Sequence, residues 1–430
     1  MKKVLIISYF LPPDPAIGGL RIHGLAEYLP EFGWEPIILT KNLHSLPTAN
    51  YRIVKTPFYE HNSVSSFKQN FFLNSNISYT KSLGLNNSIS NKSLKSKGIS
   101  AIFNFITSIV AYPDSEKEWY EYAVKYGSNV LENEKIDLVI SSSHPVTCHI
   151  IANSIKKKYK IPWIADLRDL WTQNHYYSYN FIRKFFERRF EVKTLSNANA
   201  LTTVSEHLAG TLLKVHQHKT IYSITNGFDP QYLNNGNVLT KKFTISYTGV
   251  LYKGKRDPSK LFKALRELID EKKLNPSNIE VRFYGPKEEW LNEEIIKNGL
   301  QSIVKDYGLV SRETALKIQK ESHILLLLLW DHPEEAGVYT GKLFDYLAAQ
   351  RPILAIGTTK GVVSELLHET DVGDYTTSVE DIKISIEKYY NEYLTQGYVS
   401  YNGRAEKVDQ YSQREMAKKF AKLMDKFVEH

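Results

Sequence analysis

The chain has 430 residues, too many for one typical core and enough for two domains of roughly 200 residues each. Its 42% hydrophobic and 24% charged residues are ordinary for a soluble globular protein and exclude a disordered chain. A single cysteine, Cys148, excludes an intrachain disulfide and fits a reducing cytosol, and the net charge of +8 calls for an anionic partner: nucleic acid, anionic lipid or a phosphate-bearing substrate.

Met1 to Phe10 places a short apolar run after two lysines. Pro12-Pro13-Asp14 follows where a signal peptide would carry small residues, so Val4–Ser8 is expected to be a buried first strand. Residues 19–32 then show helical spacing, with Leu20, Leu25, Tyr28 and Leu29 inward, and 36–40 reads as a second strand. Residues 138–142, 163–166 and 200–204 are further short apolar strands with helical stretches between them. Strands alternating with helices predict a parallel, doubly wound sheet.

Residues 61–113 break this rhythm. They contain no Asp or Glu, carry five lysines, and turn from Asn- and Ser-rich to apolar between Ile99 and Tyr112. One reading is a variable surface insertion whose helix packs back on the domain. The other is a positive surface that rests on anionic lipid or receives a lipid-linked acceptor. Further on, Asn180 to Thr194 sets Phe181, Phe185, Phe186 and Phe190 beside Arg183, Lys184, Arg188 and Arg189. Core on one side and solvated charge on the other is expected there, with a membrane-lying helix as the alternative. No nucleic-acid recognition motif accompanies these charges.

A second alternation begins near Phe243: strands at 244–248, 280–284, 323–329 and 353–356, helices at 258–271, 312–319 and 341–349, and two late helices. Ile324 to Trp330, with five consecutive leucines, is far below the ~20 residues that span a bilayer and suits a central strand buried on both faces. The break at 229–242, with Asn234-Asn235-Gly236-Asn237, marks the boundary. The expected division is a first domain at 1–230 with an insertion at 45–113, a second at 240–400, and a segment 401–430 able to cross back to the first. In that segment Ser412 is a helix cap before Met416, Phe420, Leu423, Met424 and Phe427.

Thr340-Gly341-Lys342-Leu343-Phe344-Asp345 opens a helix on a Gly-Lys pair. Helix N-termini hold phosphates, and Asp345, one turn in, is placed for a ribose hydroxyl. Gly18-Gly19 after the first strand lacks the Gly-x-Gly-x-x-Gly spacing of dinucleotide dehydrogenases. Lys255 and Arg256, in Lys253-Gly254-Lys255-Arg256-Asp257, are cations able to neutralise a departing pyrophosphate, or simply a solvated charge run. Asp166-Leu167-Arg168-Asp169 ends a strand. One carboxylate there can take an acceptor's proton while Arg168 holds its partner, or an Arg–Asp pair braces the loop. His144, in Ser143-His144-Pro145, is a catalytic or a structural histidine.

Taken in order, Gly18-Gly19-Leu20-Arg21, Phe32-Gly33-Trp34-Glu35-Pro36, Asp166 to Trp171, Thr225-Asn226-Gly227-Phe228-Asp229, Ser246-Tyr247-Thr248-Gly249 and Gly341–Pro352 resemble glycosyltransferase family 4. The resemblance implies the GT-B fold: two Rossmann-like doubly wound domains facing across a cleft, donor nucleotide on the second, acceptor mainly on the first. It implies retaining, metal-independent transfer from a nucleotide sugar, most readily a UDP-sugar, with no other cofactor. Gly18 and Gly19 would lie against the donor phosphate, and Asp169, then Asp166, would be the acid/base candidates.

The chain also departs from the family pattern. The expected Arg just before the basic loop falls on apolar Val250. Of two glutamates eight apart, the second place is Asp345 and the first is Gly337, so the sugar contact passes to Glu335 or to backbone amides between Gly337 and Thr340. The expected function is transfer to a glycan or lipid-linked acceptor in cell-surface polysaccharide synthesis, in the cytoplasm or against the inner face of an anionic membrane. A GT-B nucleotide-sugar 2-epimerase and a non-catalytic glycan- or lipid-binding protein are the alternatives.

Overall fold

The computed structural model describes residues 1–13, 17–43, 49–58, 112–177, 180–233, 236, 238–252 and 254–428. The expectations for 61–111 and for Lys253 therefore lie outside the described residues. The chain forms two compact units, Met1–Thr225 with Ala417–His430, and Asn226–Met416.

The first unit runs β1 (Lys2–Ile7), α1 (Ile17–Tyr28), β2 (Trp34–Thr40), β3 (Arg52–Lys55), α2 (Trp119–Asn133), β4 (Leu138–Ser143), α3 (Thr147–Tyr159), β5 (Trp163–Leu167), α4 (Phe181–Leu195), β6 (Ala200–Thr203), α5 (Glu206–Leu213) and β7 (Ile221–Ser223). Its sheet is wholly parallel, in the order β3-β2-β1-β4-β5-β6-β7. Strand order reverses between β1 and β4, where Val4 pairs with Leu138 and Ile7 with Ser141. Val4 to Ile7 are fully buried, as a strand covered by helices on both faces must be. Leu5, Ile7, Ile37, Leu39, Val139 and Trp163 pack with Trp119, Ile151 and Ile155 from α2 and α3. Each such side chain contributes about 1.5–3 kcal/mol of hydrophobic burial.

The second unit runs β8 (Phe243–Thr248), α6 (Ser259–Asp270), β9 (Ile279–Tyr284), α7 (Glu289–Lys297), β10 (Val304–Gly308), α8 (Arg312–Glu321), β11 (Ile324–Leu328), α9 (Gly341–Ala349), β12 (Ile353–Ile356), α10 (Val362–Thr370), β13 (Gly373–Thr376), α11 (Val379–Gln396), α12 (Ala405–Asp409) and α13 (Gln413–Val428). Its parallel order is β10-β9-β8-β11-β12-β13, reversing between β8 and β11. The leucine run supplies both cores through the two-residue period of a strand. Leu326 and Leu328 face Phe243, Leu261 and Ile386, while Leu325 and Leu327 face Leu343, Leu347 and Leu366. The hydroxyl of Ser412 accepts the Glu415 N–H at 3.2 Å at the start of α13. From Ala417 onward α13 packs in the first unit, where Asp425 binds Lys2 at 2.7 Å and the Trp34 indole N–H at 3.0 Å.

Two expectations need correction. The first helix stops at Tyr28 instead of Phe32; Pro30 forces a 3-10 turn over Leu29–Phe32, closed by Gly33 at φ 83°. The aromatic stripe of α4 does not enter the core. Phe181, Phe185 and Phe186 are 81%, 53% and 59% exposed, while Arg183, Glu187 and Glu191 are buried. The loop after β5 is the reason, because it presents donors where the helix docks. Trp171 Nε1 donates to Glu187 at 2.8 Å, and the Thr172 N–H to Glu191 at 3.2 Å. Of the four phenylalanines only Phe190 packs inward, edge-on to Trp171 at 5.9 Å.

Candidate functional site

Ligands of doubly wound sheets bind beyond the carboxyl ends of the strands, where strand order reverses. In the first unit that position is bounded by the loops after β1, β4 and β5. Ser141 and Ser142, although on a buried strand, are satisfied: Ser141 Oγ accepts from Trp163 Nε1 and meets His149 Nδ1, both at 2.8 Å, and Ser142 Oγ donates to Asp166 at 2.8 Å. Asp166 is fully buried. Arg21 donates to both its oxygens, Nε at 3.0 Å and Nη2 at 2.9 Å, and Thr202 Oγ1 adds a fourth bond at 2.8 Å. Arg21 is in turn held by the carbonyls of Ile224 and Thr225 and lies 5.2 Å over the Phe420 ring. Burial pushes the Asp166 carboxyl up, but Arg21 and the hydroxyls outweigh it and hold the group below the usual range. With two hydrogen bonds on each oxygen, Asp166 braces the strand ends.

Asp169 differs. Its side chain is 48% exposed and is held from one side by Arg168, Nη2 at 3.0 Å and Nε at 3.2 Å. Ser143 Oγ reaches the Asp169 carbonyl at 3.4 Å. His144 stands beside this group, and burial lowers its pKa against the attraction of Asp169, so its imidazole is neutral at pH 7. Arg168 also explains Gly18: a Cβ there would lie 1.8 Å from Arg168 Nη1. A Cβ on Gly19 would lie 3.1 Å from the Leu11 backbone. Gly18, Arg168, Asp169, Ser143 and His144 thus form one cluster, and Gly18 leaves room for a guanidinium.

In the second unit the corresponding place is bounded by the loop after β8, the loop after β11 and the start of α9. Lys342 Nζ is buried with no hydrogen-bond partner and lies 3.8 Å from the Tyr247 ring centroid. Burial, then the nearby Arg256 charge, lowers its pKa well below the usual lysine value. Thr340, just before the helix, is buried with an equally unpartnered hydroxyl. Gly249, at φ 129°, makes room: a Cβ there would lie 2.8 Å from Lys342 Nζ. Beneath, Tyr346 donates to the Leu326 carbonyl at 3.1 Å, and Gln319 Nε2 to Thr248 Oγ1 at 2.9 Å, fixing the floor. A buried lysine nitrogen and a buried hydroxyl, neither with a hydrogen-bond partner, thus stand at the start of α9, the kind of helix end whose dipole favours an anion.

The other expected donor residues lie around it. Arg256 donates to the Val250 carbonyl at 3.3 Å and covers Tyr252. Lys255 Nζ rests 4.1 Å from the Trp330 ring, which stacks on His332. Glu335 and Gly337 lie in the 3-10 turn Pro333–Gly337, and Glu335 lines a recess with Trp330, Asp331, Val338 and Thr359. Asp345 is bound by Arg312 at 2.8 and 3.2 Å; burial raises its pKa against that attraction. Sequence reasoning missed Arg21, Tyr247, Arg312 and Trp330. Among the described residues no group of three or more His, Cys, Asp or Glu is placed to hold a metal ion, and no helix is long and apolar enough to cross a membrane.

Residues 104–232 match the family model for Glycosyltransferase Family 4. No curated protein matches the sequence. Among solved structures the chain is similar to sucrose-phosphate synthase from Thermosynechococcus elongatus, with 10% identity, 99% of each chain covered and a TM-score of 0.63. It is similar to Anabaena HepE in complex with UDP and glucose, with 12% identity, 99% of this chain and 100% of that one covered, and a TM-score of 0.59. It is also similar to WaaG, a glycosyltransferase involved in lipopolysaccharide biosynthesis, with 12% identity, the same coverage and a TM-score of 0.51. The chain therefore has the α/β fold of GT-B glycosyltransferases, and its stretch 104–232 is similar to glycosyltransferase family 4.

Proposed function

We propose that this protein is a retaining glycosyltransferase that moves a hexosyl or N-acetylhexosaminyl group from a nucleotide-diphosphate sugar to a glycan or lipid-linked acceptor, without a required metal. The observation that carries the reading is the buried, unpartnered ammonium of Lys342 beside the unpartnered Thr340 hydroxyl at the start of α9. A diphosphate supplies the charge these groups lack. UDP is the first nucleotide to test, since HepE was solved with it. Cell-surface glycan synthesis is the first setting to test, since WaaG serves lipopolysaccharide.

In this reaction the bond from the sugar's anomeric carbon to the diphosphate oxygen breaks, and a bond to the acceptor oxygen forms on the same face. Negative charge grows on the departing diphosphate, and Lys342, Lys255 and Arg256 are the cations that stabilise it. The acceptor's hydroxyl proton leaves with the phosphate oxygen or passes to Asp169, whose carboxylate is half-exposed and held by Arg168. Neutral His144 orients that hydroxyl. Asp345 serves the ribose, and Glu335 or the amides between Gly337 and Thr340 serve the sugar.

Thermal stabilisation by UDP, GDP, ADP and CDP, with and without EDTA, tests the donor site. A nucleotide at about 100 times its dissociation constant adds about 2.7 kcal/mol to the folded state. One nucleotide acting alone, unaffected by EDTA, is expected, followed by acceptor-dependent turnover with retained configuration by NMR. No response to any nucleotide would refute the reading. Turnover of donor without acceptor would move it to an epimerase.

A further inference from the structure

Helix α4 sorts its charges by sign. Its two acids point inward and are neutralised there: Glu187 by Arg183 Nε at 2.9 Å, by the Trp171 indole and by the Tyr177 hydroxyl, and Glu191 by Thr172, Gln173 and His216 Nε2 at 3.2 Å. What remains outside is apolar or positive. Phe181, Ile182, Phe185 and Phe186 recur at one-turn spacing and are all more than half exposed. Lys184, Arg188 and Arg189 are exposed among them, and the Arg189 guanidinium lies 4.3 Å over the Phe185 ring. No carboxylate of α4 faces outward. A solvated helix ordinarily mixes both signs on its outer face and turns its aromatics to the core. This helix does the reverse on both counts.

We propose that the outer face of α4 docks on a lipid bilayer containing anionic phospholipids. The phenylalanines and Ile182 enter the boundary between headgroups and acyl chains, and Lys184, Arg188 and Arg189 meet the lipid phosphates at its rim. Charge decides between this and the other occupants. A second copy would set the same cationic face against itself. The chain's own sequence from 61 to 97 has five lysines and no acid, so charge disfavours that stretch as an occupant too. The proposal stands independently of the transferase reading, since it uses no residue of the donor or acceptor sites.

The test is sedimentation of the full chain with vesicles of phosphatidylcholine alone and of phosphatidylcholine mixed with phosphatidylglycerol. Binding is expected only to the mixed vesicles and is lost as salt rises. Phe185→Ser with Phe186→Ser, and separately Arg188→Glu with Arg189→Glu, should each lower the partition coefficient at least about tenfold. Lys135→Glu, on the same unit but away from α4 and 89% exposed at its side chain, should leave binding unchanged. Unchanged melting temperature and unchanged nucleotide response in the α4 variants separate a docking defect from misfolding and from failure of the donor-site reading. Equal binding to both vesicle types, or wild-type binding by both α4 variants, would overturn the proposal. So would self-association that depends on α4 and occurs without lipid.

Discussion

Each unit buries an ionisable side chain near the carboxyl end of its parallel sheet, Asp166 near the end of β5 and Lys342 in the first turn of α9, and the two are treated in opposite ways. Asp166 has a guanidinium on both oxygens and two hydroxyl donors besides. Lys342 has an aromatic ring, a second cation nearby and no acceptor at all. A buried charge costs several kcal/mol unless it is paired. The saturated one is architecture, tying β5 to α1 and β6. The unsaturated one is eased in the free protein by a lowered pKa, and under the proposed function a donor diphosphate completes it. Satisfaction of hydrogen bonds, more than burial, separates the brace from the proposed binding site.

The largest expected effect breaks the brace. Arg21→Ala leaves the Asp166 carboxylate buried with two hydroxyl donors but no counter-charge, and should cost about 3–5 kcal/mol in chemical denaturation. Replacing both residues with apolar ones should cost clearly less than the two single changes summed. The pH dependence has a fixed sign. The Asp166 pKa is depressed by folding, so its contribution is present above the unfolded value near 3.9 and is lost as pH falls through the folded value. The gap between wild type and Asp166→Asn should therefore close on acidification. A gap that widened would show that Asp166 is not held as a carboxylate.

Lys342→Met inverts that result. Removing an unpaired buried cation should leave the free protein as stable as wild type or more so, while nucleotide affinity falls about 10- to 100-fold, or 1.4–2.7 kcal/mol. The wild type should also take up protons on binding nucleotide, read by calorimetry in buffers of different ionisation enthalpy. The free lysine's pKa is depressed and the anion raises it again, so affinity should weaken as pH rises through the free value. Loss of stability without loss of affinity would make Lys342 a second brace.

The contrast explains what could be read in the sequence. The inner strands of both sheets were legible because burial on two faces demands unbroken apolar runs such as Val4–Ile7 and Leu325–Leu328. The four strands that were missed, β3, β7, β10 and β13, are the four sheet edges. An edge strand has one neighbour and one wet side, so its sequence is mixed. Gly341-Lys342 was legible as a helix start, because that signal is local. Its environment was not, since Tyr247 and Gly249 lie more than ninety residues earlier, and nothing near Asp166 announces Arg21. In α4 the period gave the helix but not its inward face, which is set by the Trp171, Thr172 and Gln173 donors of a different segment.

Gly249→Ala sharpens the comparison at intermediate cost. Its φ of 129° strains any side chain, and a Cβ would press on the Lys342 ammonium at 2.8 Å. About 1–2 kcal/mol of destabilisation from the backbone is expected, together with weaker nucleotide binding. Destabilisation with unchanged affinity would mean that the ammonium's position is not what the glycine protects.

The smallest effect belongs to Arg312, whose pair with Asp345 is half-exposed and therefore screened. Arg312→Ala should cost less than about 1 kcal/mol at pH 7. Burial already raises the Asp345 pKa, and losing the guanidinium raises it further, so the variant's folded state prefers the protonated acid more strongly than wild type does. A pKa raised by folding favours the folded state below the unfolded value near 3.9 and penalises it as pH climbs through the folded value. The cost of Arg312→Ala should therefore fade as pH falls through the two folded values, both above the unfolded one, and be gone below about 4. If Asp345 serves the ribose of a bound nucleotide, the variant's affinity should match wild type well above both folded values and diverge only as pH falls toward them, where its carboxyl takes up a proton first. Equal divergence at every pH would assign the nucleotide contact to Arg312 itself, and would make the Arg312–Asp345 pair part of the anion site instead of its rim.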